Sequence, residues 1–223
     1  MPAPAPILLD DRLWFPDAND AVKHGPHAGL VAVGGDLSVP RLLLAYCSGL
    51  FPWTADPATW WSPDPRGIIE LDQFHVSRSL SRTLRKGVFE VTFDRAFREV
   101  ITACAKTRRP SGWITVEFIN AYTELHEAGH AHSVECWLAG KLVGGVYGVA
   151  VGGLFAGESM FHRADDASKV ALFHLVGRLR ERGFTLFDTQ MVTPVTRSLG
   201  AVEISRASYL RRLRAAVKVR ASF

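Results

Sequence analysis

Two short segments of this chain place polar side chains among apolar ones in a pattern that could serve chemistry. Leu186-Phe-Asp-Thr-Gln190 is typical of a short buried strand, on which the side chains of Asp188 and Gln190 point the same way. Gly157-Glu-Ser-Met-Phe161 places the carboxyl of Glu158 at the end of an apolar, glycine-rich strand. A buried acid and amide are costly unless they are paired or used. The pattern therefore indicates either a functional acid–amide pair or a structural hydrogen-bond network.

The segment His126-Glu-Ala-Gly-His130 matches the H-E-x-x-H pattern of zinc peptidases. Such a site needs both histidines on one helical face, one turn apart. Gly129 is a typical helix end, and strand-forming residues follow it, so His130 is expected to leave that face. The sequence favours histidines of a helix end and a loop. No bound metal is expected, and a zinc peptidase is the weakest alternative.

Patterns for nucleotide binding and for covalent catalysis are weak. Glycines crowd residues 144–153, but no Gly-Lys-Ser/Thr follows them, and the segment is typical of a strand, a turn and a second strand. The cysteines Cys47, Cys104 and Cys136 are scattered and odd in number, which predicts reduced thiols and a cytoplasmic protein. No serine lies in a nucleophile elbow. Covalent catalysis is therefore not indicated.

Charge is distributed unevenly along the 223 residues. Residues 1–74 hold four Lys/Arg and nine Asp/Glu, a balance of −5, whereas the remaining chain holds 22 and 13, a balance of +9. Nine bases and only three acids lie between residues 78 and 109. A basic face this uneven suggests an anionic macromolecular partner, with nucleic acid as the leading candidate. A solvated basic face without a partner is the alternative.

The elements that must position these residues follow from the spacing of apolar residues and of helix and strand breakers. Residues 1–66 are predicted to form a small lobe that ends in a rigid aromatic loop over residues 51–66. The four prolines and three tryptophans of that loop argue against a regular helix or a central strand. Helices are predicted over residues 41–47, 77–86, 95–107, 117–128, 166–182 and 206–220, and strands over residues 68–71, 89–93, 132–138, 141–151, 154–160 and 185–189.

Composition excludes several classes of protein. Hydrophobic residues make up 48% of the chain and charged residues 22%, which is typical of a globular protein and not of a disordered one. The longest uncharged stretch, residues 142–157, has 16 residues and six glycines, fewer residues than the roughly 20 of a membrane-spanning helix. The first residues lack the basic and apolar parts of a secretory signal. Neither a membrane segment nor a secretory signal is expected.

At the acid–amide residues the chain becomes similar to a known family, the leucyl/phenylalanyl-tRNA–protein transferases. Matching segments run in a single order from about residue 30 to about residue 210, and together they are highly specific. They are Val33-Gly-Gly-Asp-Leu-Ser38, Gly49-Leu-Phe-Pro-Trp53, Trp60-Trp-Ser-Pro-Asp-Pro-Arg66, Phe89-Glu-Val-Thr-Phe-Asp94, Trp113-Ile-Thr115, Gly129-His-Ala-His-Ser-Val-Glu135, Leu142-Val-Gly-Gly145, Gly157-Glu-Ser-Met-Phe161, Asp166-Ala-Ser-Lys169, Asp188-Thr-Gln190 and Ser198-Leu-Gly-Ala201.

The resemblance implies an α+β protein with two lobes. The small lobe would cover residues 1–66, and residues 67–223 would form an acetyltransferase-like (GNAT) domain with a mixed, largely antiparallel sheet. The implied reaction moves Leu, Phe or sometimes Met from aminoacyl-tRNA to a protein that begins with Lys or Arg, which marks that protein for degradation. The resemblance implies no metal, coenzyme A or other cofactor, and a cytoplasmic monomer is expected.

The resemblance also implies roles for individual residues. Glu158, Asp188 and Gln190 would surround the reacting groups as catalytic residues, and Trp53 and Trp113 would hold the terminal adenosine of the donor. The aminoacyl pocket would be formed by Val146, Phe155, Met160, Leu172, Leu179 and Phe187. Two basic segments would bind the tRNA through its phosphates, namely residues 206–220 and the helix that carries Arg78, Arg82, Arg85 and Lys86.

Asp188 is expected to orient Gln190 and, with Glu158, to supply a negative field for the basic acceptor. The chain departs from the family at Val195, where a His is usual, and at Thr193, where Asn is often found.

Two other functions stay open. An acyl-CoA-dependent acetyltransferase would share the fold, but its Arg/Gln-x-x-Gly-x-Gly/Ala turn is missing. A non-catalytic RNA-binding module would need the basic segments but not the acid–amide pair.

Overall fold

The computed structural model describes residues 6–107 and 112–223. The α-helices in this part of the chain are α1 (Val39–Cys47), α2 (Arg78–Lys86), α3 (Phe97–Ala105), α4 (Val116–Glu127), α5 (Ala167–Glu181), α6 (Pro194–Ser198) and α7 (Arg206–Ala216). The strands are β1 (Ile7–Leu9), β2 (Leu30–Gly34), β3 (Phe51–Ala55), β4 (Ala58–Trp61), β5 (Arg66–Ile69), β6 (Glu90–Phe93), β7 (Ala131–Leu138), β8 (Lys141–Val151), β9 (Leu154–His162), β10 (Leu186–Gln190) and β11 (Ala201–Ile204). Each predicted helix and strand is present within a few residues, whereas β1–β4, β11 and α6 were not predicted.

Seven strands form the larger sheet, in the order β11-β5-β10-β9-β8-β7-β6. Neighbouring strands are antiparallel except β9 and β10, which are parallel and are connected through α5. Side chains alternate between the two faces along each strand. Phe155 belongs to the buried cluster beneath α5, and the next residue, Ala156, to the cluster beneath α3 and α4. The predicted α+β class with a mixed, largely antiparallel sheet is confirmed.

The smaller sheet has four strands, in the order β1-β2-β4-β3. The prediction of an irregular loop over residues 51–66 was wrong, because β3 and β4 form an antiparallel hairpin there. The prolines do not prevent this pairing. Pro52 lies on the edge strand, and Pro57 lies in the turn between the strands, so neither removes a hydrogen bond that the sheet needs. Trp60 of the central strand β4 is fully buried and donates its indole N–H to Gly34 O at 2.9 Å.

Helix ends follow local signals in most cases. Ser77 caps α2 by accepting from Leu80 N at 3.2 Å, and Gly87 ends that helix with φ of 60°. Asp166 stands at the N-cap position of α5, but its side chain accepts no capping hydrogen bond. Its backbone is left-handed, with φ of 62°, and its carboxylate instead binds Lys169 Nζ at 2.9 Å and Thr83 Oγ1 at 3.0 Å. In the described part of the chain, no helix is long and apolar enough to cross a membrane.

Candidate active site

A cavity of about 850 Å³ lies where β8, β9 and β10 meet the start of α5 and residues 191–196. One part of its wall is apolar and is formed by Val146, Met160, Leu172 and Phe187. Polar and charged side chains form another part, namely Glu158, His162, Asp165, Asp166, Lys169 and Gln190. The cavity thus combines an apolar wall with the carboxyl and amide that the sequence singled out.

Four of the six residues predicted for an aminoacyl pocket line this cavity, and two do not. Phe155 and Leu179 are buried in the core behind the cavity wall. Phe155 packs edge to face on Phe187, with 5.8 Å between ring centroids, so it supports a residue of the wall without reaching the cavity itself. The expectation that these two side chains line the pocket is therefore corrected to a supporting position.

Glu158 lies on β9 at the cavity wall and connects β10 with α4. Its Oε1 accepts from the Gln190 amide Nε2 at 3.0 Å, and its Oε2 accepts from the Tyr122 hydroxyl at 3.4 Å. The Tyr122 hydroxyl is 2.5 Å from that of Tyr46, a second buried phenol. Burial raises the pKa of Glu158 to about 8 against the opposing effect of the nearby hydroxyls. The Glu158 carboxyl can therefore gain or lose a proton at a pH close to neutral.

Gln190 ends β10 in a strained backbone conformation. Its φ is 55°, in the left-handed region that side chains with a Cβ rarely adopt, and the pairing of β10 with β5 shifts register there. Gly67 of β5 faces this irregularity, and a Cβ on it would lie 2.8 Å from Met191 C and 2.9 Å from Val192 N. Gly67 therefore leaves the space that the backbone just after Gln190 occupies.

Asp188 is completely buried and does not reach the cavity. Arg66 donates to both of its carboxylate oxygens, from Nε at 2.9 Å and from Nη2 at 2.6 Å, and the Tyr209 hydroxyl donates at 2.8 Å. The remaining contact is with the Gln190 backbone N–H at 2.9 Å. Asp188 therefore fixes the backbone of Gln190, whereas Glu158 holds its amide. Asp188 thus contacts Gln190 through the backbone and not through the amide. The expectation that Asp188 contributes negative field to the cavity is corrected, because Arg66 balances its charge.

Sequence reasoning missed Arg66, the cation that completes this network. Arg66 begins β5, is buried, and donates from Nη1 to Gly49 O at 3.1 Å. Its guanidinium lies 4.3 Å from the ring centroid of Tyr209 and 5.0 Å from that of Phe51. Burial lowers the pKa of Arg66, but the paired carboxylate raises it further, so the net shift is upward. A lone arginine before the apolar residues Gly67-Ile-Ile69 was the available signal.

The two predicted adenosine-binding tryptophans lie outside the cavity wall, each joined to the site by aromatic contacts. Trp53 is 6.0 Å from Phe51, which lies beneath Arg66. Trp113 packs edge to face on Phe118 at 5.4 Å, and Phe118 is 6.0 Å from Tyr122. Both tryptophans are only partly buried. Each therefore has ring surface open to solvent next to a residue that contacts the acid–amide network.

The predicted tRNA-binding residues of α2 form an exposed cationic surface. Arg78, Arg82, Arg85 and Lys86 all have side-chain surface open to solvent, and none forms an ion pair with another residue in the described part of the chain. The second basic segment is less uniform. Arg206 is buried and donates to Ser62 O at 2.7 Å, so it cannot contact a phosphate and that part of the expectation was wrong. Arg211, Arg212 and Arg214 of α7 lie at the surface, with Arg212 paired to Glu70 at 2.7 Å.

The H-E-x-x-H histidines are separated by the end of α4. The helix stops at Glu127, Gly129 has φ of 81°, and His130 lies beyond it, as predicted. His126 donates a hydrogen bond from Nδ1 to Ala131 O at 2.7 Å, and its ring stacks on that of Phe97. Within residues 6–107 and 112–223, no group of three or more His, Cys, Asp or Glu side chains could hold a metal ion.

The two positions where the chain departs from the family pattern both line the cavity. Thr193 caps α6 through a reciprocal hydrogen bond with Thr196, and Val195 follows on the first turn with 40% of its surface exposed. An exposed apolar side chain therefore lies at the cavity where the family usually has an imidazole.

Known proteins with similar sequences define the class of this protein. The chain is 53% identical over 214 residues to the leucyl/phenylalanyl-tRNA–protein transferase of Pseudoalteromonas atlantica, covering 94% of this chain and 91% of that protein. It is also 53% identical over 210 residues to that of Syntrophotalea carbinolica, covering 92% and 90%. With these relatives and the α+β fold described above, the chain is a transferase.

Two family models match the chain. The model for leucyl/phenylalanyl-tRNA protein transferase matches residues 68–214, and the model for the N-terminal domain of that enzyme matches residues 35–64. The chain belongs to the leucyl/phenylalanyl-tRNA–protein transferase family. The motifs that predicted this membership therefore identified the family correctly.

Similar solved structures include L-PGS from Bacillus licheniformis, with 17% identity, a TM-score of 0.42, and coverage of 66% of this chain and 48% of that chain. A ribosomal-protein-alanine N-acetyltransferase from Brucella melitensis has 18% identity and a TM-score of 0.32, with coverage of 44% and 75%.

Proposed function

We propose that this transferase moves Leu or Phe, and sometimes Met, from aminoacyl-tRNA to the α-amine of a protein that begins with Lys or Arg. The observation that carries the proposal is the hydrogen-bonded pair of Glu158 and Gln190 at the wall of an apolar cavity. The new first residue would act as a degradation signal, as in the family. An acceptor amine and a donor ester would meet beside the pair, with the donor side chain in the apolar part.

The apolar wall supports the choice of donor. Val146, Met160, Leu172 and Phe187 offer no hydrogen-bonding side chain to the ligand, so an aliphatic or aromatic aminoacyl group is favoured over a polar one. A pocket that is narrow at its mouth would exclude Ile and Val, whose second substituent on Cβ widens the side chain close to the backbone. Leu, Phe and Met are unbranched at Cβ and would enter.

Gln190 would receive the attacking amine. Its amide Nε2 donates to the Glu158 carboxyl, and this orientation leaves the amide carbonyl oxygen free to accept a hydrogen bond. An α-amine that donates to this oxygen keeps its lone pair for the ester carbonyl carbon. Gln190 is thus proposed to position the nucleophile, and the strained, Asp188-bound backbone would hold it in place.

Glu158 would serve the proton transfers. Free α-amines have a pKa of about 8, and burial raises the pKa of Glu158 to about 8. Groups with matched pKa values exchange a proton at little cost. The amine nitrogen forms the new C–N bond, the bond from the carbonyl carbon to the ribose oxygen breaks, and the proton lost by the amine replaces the acyl group on that oxygen. Holding amine and ester together can itself supply about 7–11 kcal/mol, so no covalent intermediate is needed.

The donor tRNA would be held at two places outside the cavity. The exposed cations of α2 would contact phosphates, which position a nucleic acid without reading its sequence. The open ring surfaces of Trp53 and Trp113 would stack on the terminal adenosine. Donors that carry different tRNA sequences could then be used alike.

The direct test offers labelled Leu-tRNA, Phe-tRNA and acetyl-CoA in parallel, each with a peptide that begins with Lys. Transfer from both tRNAs and none from acetyl-CoA is the expected result. Gln190→Ala should lower kcat with little change in the KM of the donor, because it removes an interaction made mainly in the transition state. Gln73→Ala, which shortens an exposed glutamine outside the cavity, is the matched control. A wild-type single-turnover rate in Gln190→Ala would overturn the role of the pair.

Several features of the proposal remain predictions from the sequence. They are the division into a small lobe over residues 1–66 and a catalytic domain over residues 67–223, a cytoplasmic location, a monomeric state and the lack of a cofactor. The shared buried cluster that contains Val31 and Trp60 together with Val149 joins the two sheets. A truncated protein that starts at residue 67 would thus expose part of this cluster, and we expect it to fold poorly alone.

A further inference from the structure

One charged side chain at the cavity, that of Asp165, has no role in the proposed transfer reaction. Asp165 lines the cavity and is exposed, one residue before the strained Asp166. Its carboxylate has no hydrogen-bond or ion-pair partner within residues 6–107 and 112–223. An unpaired carboxylate on a cavity wall is suited to bind a cationic group of a ligand.

The other carboxyl groups near the site are already engaged. Asp188 is buried and balanced by Arg66. Asp166 binds Lys169 and Thr83. Glu158 accepts from Gln190 and Tyr122, and its raised pKa keeps it largely neutral at neutral pH. The negative charge facing the cavity therefore comes from Asp165, and not from the Asp188–Glu158 pair that the sequence suggested.

The neighbouring cations do not neutralise this charge. Arg163 donates to Leu142 O at 3.2 Å and lies over the ring of Phe161 at 5.4 Å. Lys169 lies 2.9 Å from Asp166 Oδ1. His162 also lines the cavity and is exposed, but it forms no ion pair with Asp165. A ligand cation would thus meet a carboxylate that no described side chain competes for.

The backbone presents Asp165 on a fixed turn. Arg163 N donates to Val143 O at 2.6 Å, and Ala167 N donates to Ala164 O at 3.2 Å. Thr83 and Lys169 both bind the carboxylate of the following residue. Because hydrogen bonds hold this turn on both sides of Asp165, its backbone loses little conformational entropy when the carboxylate binds a ligand. More of the interaction energy then remains to favour a charged ligand over a neutral one.

The size of the cavity leaves room for a second group. A volume of about 850 Å³ lies in the range of cavities that hold whole small-molecule ligands. One donor side chain against the apolar wall does not fill it. The polar part, from Glu158 and Gln190 to Asp165, remains for the first residue of the acceptor.

We propose that Asp165 determines acceptor specificity by binding the charged side chain of the acceptor's first residue, while the α-amine of that residue lies at Gln190. This inference rests on the proposed function and adds the group that selects Lys or Arg. Gln190 and Asp165 line the same cavity, so a flexible basic side chain would extend within it from an amine at Gln190. A neutral first residue of the same shape would leave the carboxylate unpaired.

The test compares two peptides that differ only at the first residue, arginine in one and citrulline, its uncharged analogue, in the other. With Leu-tRNA as donor, wild type should have the higher kcat/KM for the arginine peptide. Asp165→Asn should reduce the arginine-to-citrulline ratio of kcat/KM values about fivefold, the effect of one well-formed ion pair at an exposed carboxylate. Asp165→Glu should keep most of it. Asp11→Asn, which removes the same charge from an exposed side chain outside the cavity, should keep all of it.

Each outcome separates this inference from the proposed function. An unchanged arginine-to-citrulline ratio in Asp165→Asn would overturn the inference, as would equal use of both peptides by wild type. Transfer to neither peptide by wild type would instead refute the proposed function. Thermal unfolding checks that each variant is folded, and Asp165→Ser provides a second neutral variant should the Asn variant unfold. An unchanged KM for Leu-tRNA would show that the loss concerns the acceptor.

Discussion

At the residue scale, the chemistry of the site depends on two carboxyl groups in different surroundings. Asp188 is enclosed by Arg66, Tyr209 and the Gln190 N–H, all of which donate hydrogen bonds to it. Glu158 accepts hydrogen bonds from the Gln190 amide and from the buried Tyr122 hydroxyl. Its pKa is raised because burial disfavours the charged form. Environments that differ in this way give two acids different tasks. Asp188 is suited to hold structure and Glu158 to exchange a proton.

The raised pKa of Glu158 predicts a pH dependence of stability. Because its pKa is about 8 in the folded protein and near 4.5 when exposed, the folded state binds the proton more tightly. Its contribution to stability is present in full below about pH 4.5 and is lost as pH rises through about 8. Glu158→Gln imitates the protonated form, so its Tm should fall less than that of wild type between about pH 6 and about pH 9. Glu127→Gln, an exposed control, should follow wild type, and parallel Tm curves for all three proteins would contradict the assignment.

The Asp188–Arg66 pair predicts a large effect on folding. Asp188→Asn leaves a fully buried guanidinium without its carboxylate, which should lower the free energy of unfolding by about 3–5 kcal/mol. Urea unfolding measures this value. The control removes an acid from the exposed Arg95–Glu90 pair, and Glu90→Gln should cost about 0–1 kcal/mol. Equal small losses in both variants would show that the buried pair is not needed for stability.

At the scale of elements, the irregular end of β10 depends on the strand beside it. Gly67 of β5 leaves room for the backbone of residues 191 and 192, and a Cβ there would come within 2.9 Å of both. A methyl group must therefore push the segment that carries Gln190 away from its present position. The position of Gln190, and with it the hydrogen bond from Gln190 to Glu158, thus depends partly on a glycine that has no side chain of its own.

Gly67→Ala should accordingly cost about 1–3 kcal/mol of stability and lower kcat, because overpacking displaces backbone. Gly177→Ala is the matched control. Gly177 lies inside α5, and a Cβ there would meet nothing within 4 Å, so the substitution should add about 0.5–1 kcal/mol. The two variants are compared by thermal unfolding and by single-turnover transfer. A fully active, stable Gly67→Ala protein would show that the close approach can relax.

The basic helix α2 allows a test of donor binding at the same scale. Arg82 and Arg85 lie on its solvent-facing side, three residues apart. Replacing both with Gln should weaken binding of Leu-tRNA and Phe-tRNA alike and should reduce the slope of log affinity against log salt by about 1 for each phosphate no longer bound. Lys23→Gln with Arg182→Gln removes the same charge from other elements and should leave the slope unchanged. A weaker affinity for one tRNA alone would refute a general phosphate contact.

At the scale of the whole molecule, the site is assembled from both sheets. Trp53 comes from the four-stranded sheet and lies near Arg66 through Phe51, whereas Trp113 lies near Glu158 through Phe118 and Tyr122. Binding of the donor end at these tryptophans would therefore involve the four-stranded sheet, through Trp53, and the segment before α4, through Trp113. The cavity and its turn at Asp165 lie at the N-terminal end of α5, and Thr83 joins that turn to α2.

Substitution of Trp53 or Trp113 should affect donor binding more than the rate of the chemical step. Trp53→Ala or Trp113→Ala should each cost about 1–3 kcal/mol of donor binding if the ring stacks on a base. The KM of the donor should then rise more than kcat falls, with aminoacyl-adenosine as well as with full tRNA. Phe74→Ala, which shortens a partly buried aromatic outside these contacts, controls for general loss of packing. Loss of Tm with a normal KM for aminoacyl-adenosine would identify the tryptophans as structural only.

The sequence by itself determined most of the local structure and singled out Glu158, Asp188 and Gln190 as the polar residues of the site. Alternation along residues 186–190 places Asp188 and Gln190 on one strand, and glycines at 87 and 129 end α2 and α4, because these features act over a few neighbouring residues. The aromatic hairpin over residues 51–61 was not predictable from proline content. Whether a proline breaks a strand depends on its place at an edge or a turn, and that place is set by the strands around it.

Only the tertiary structure decided which partners these residues have. Arg66 and Asp188 are 122 positions apart, and Tyr209 comes from a third element, so no local pattern connects them. The left-handed backbone of Gln190 and the raised pKa of Glu158 likewise exist only after β5, β9, β10 and α4 have packed together. Hydrogen bonding and desolvation depend on distance in space, whereas a sequence records distance along the chain. For this reason the sequence identified the polar groups of the site, and the fold assigned the surroundings that give each one its task.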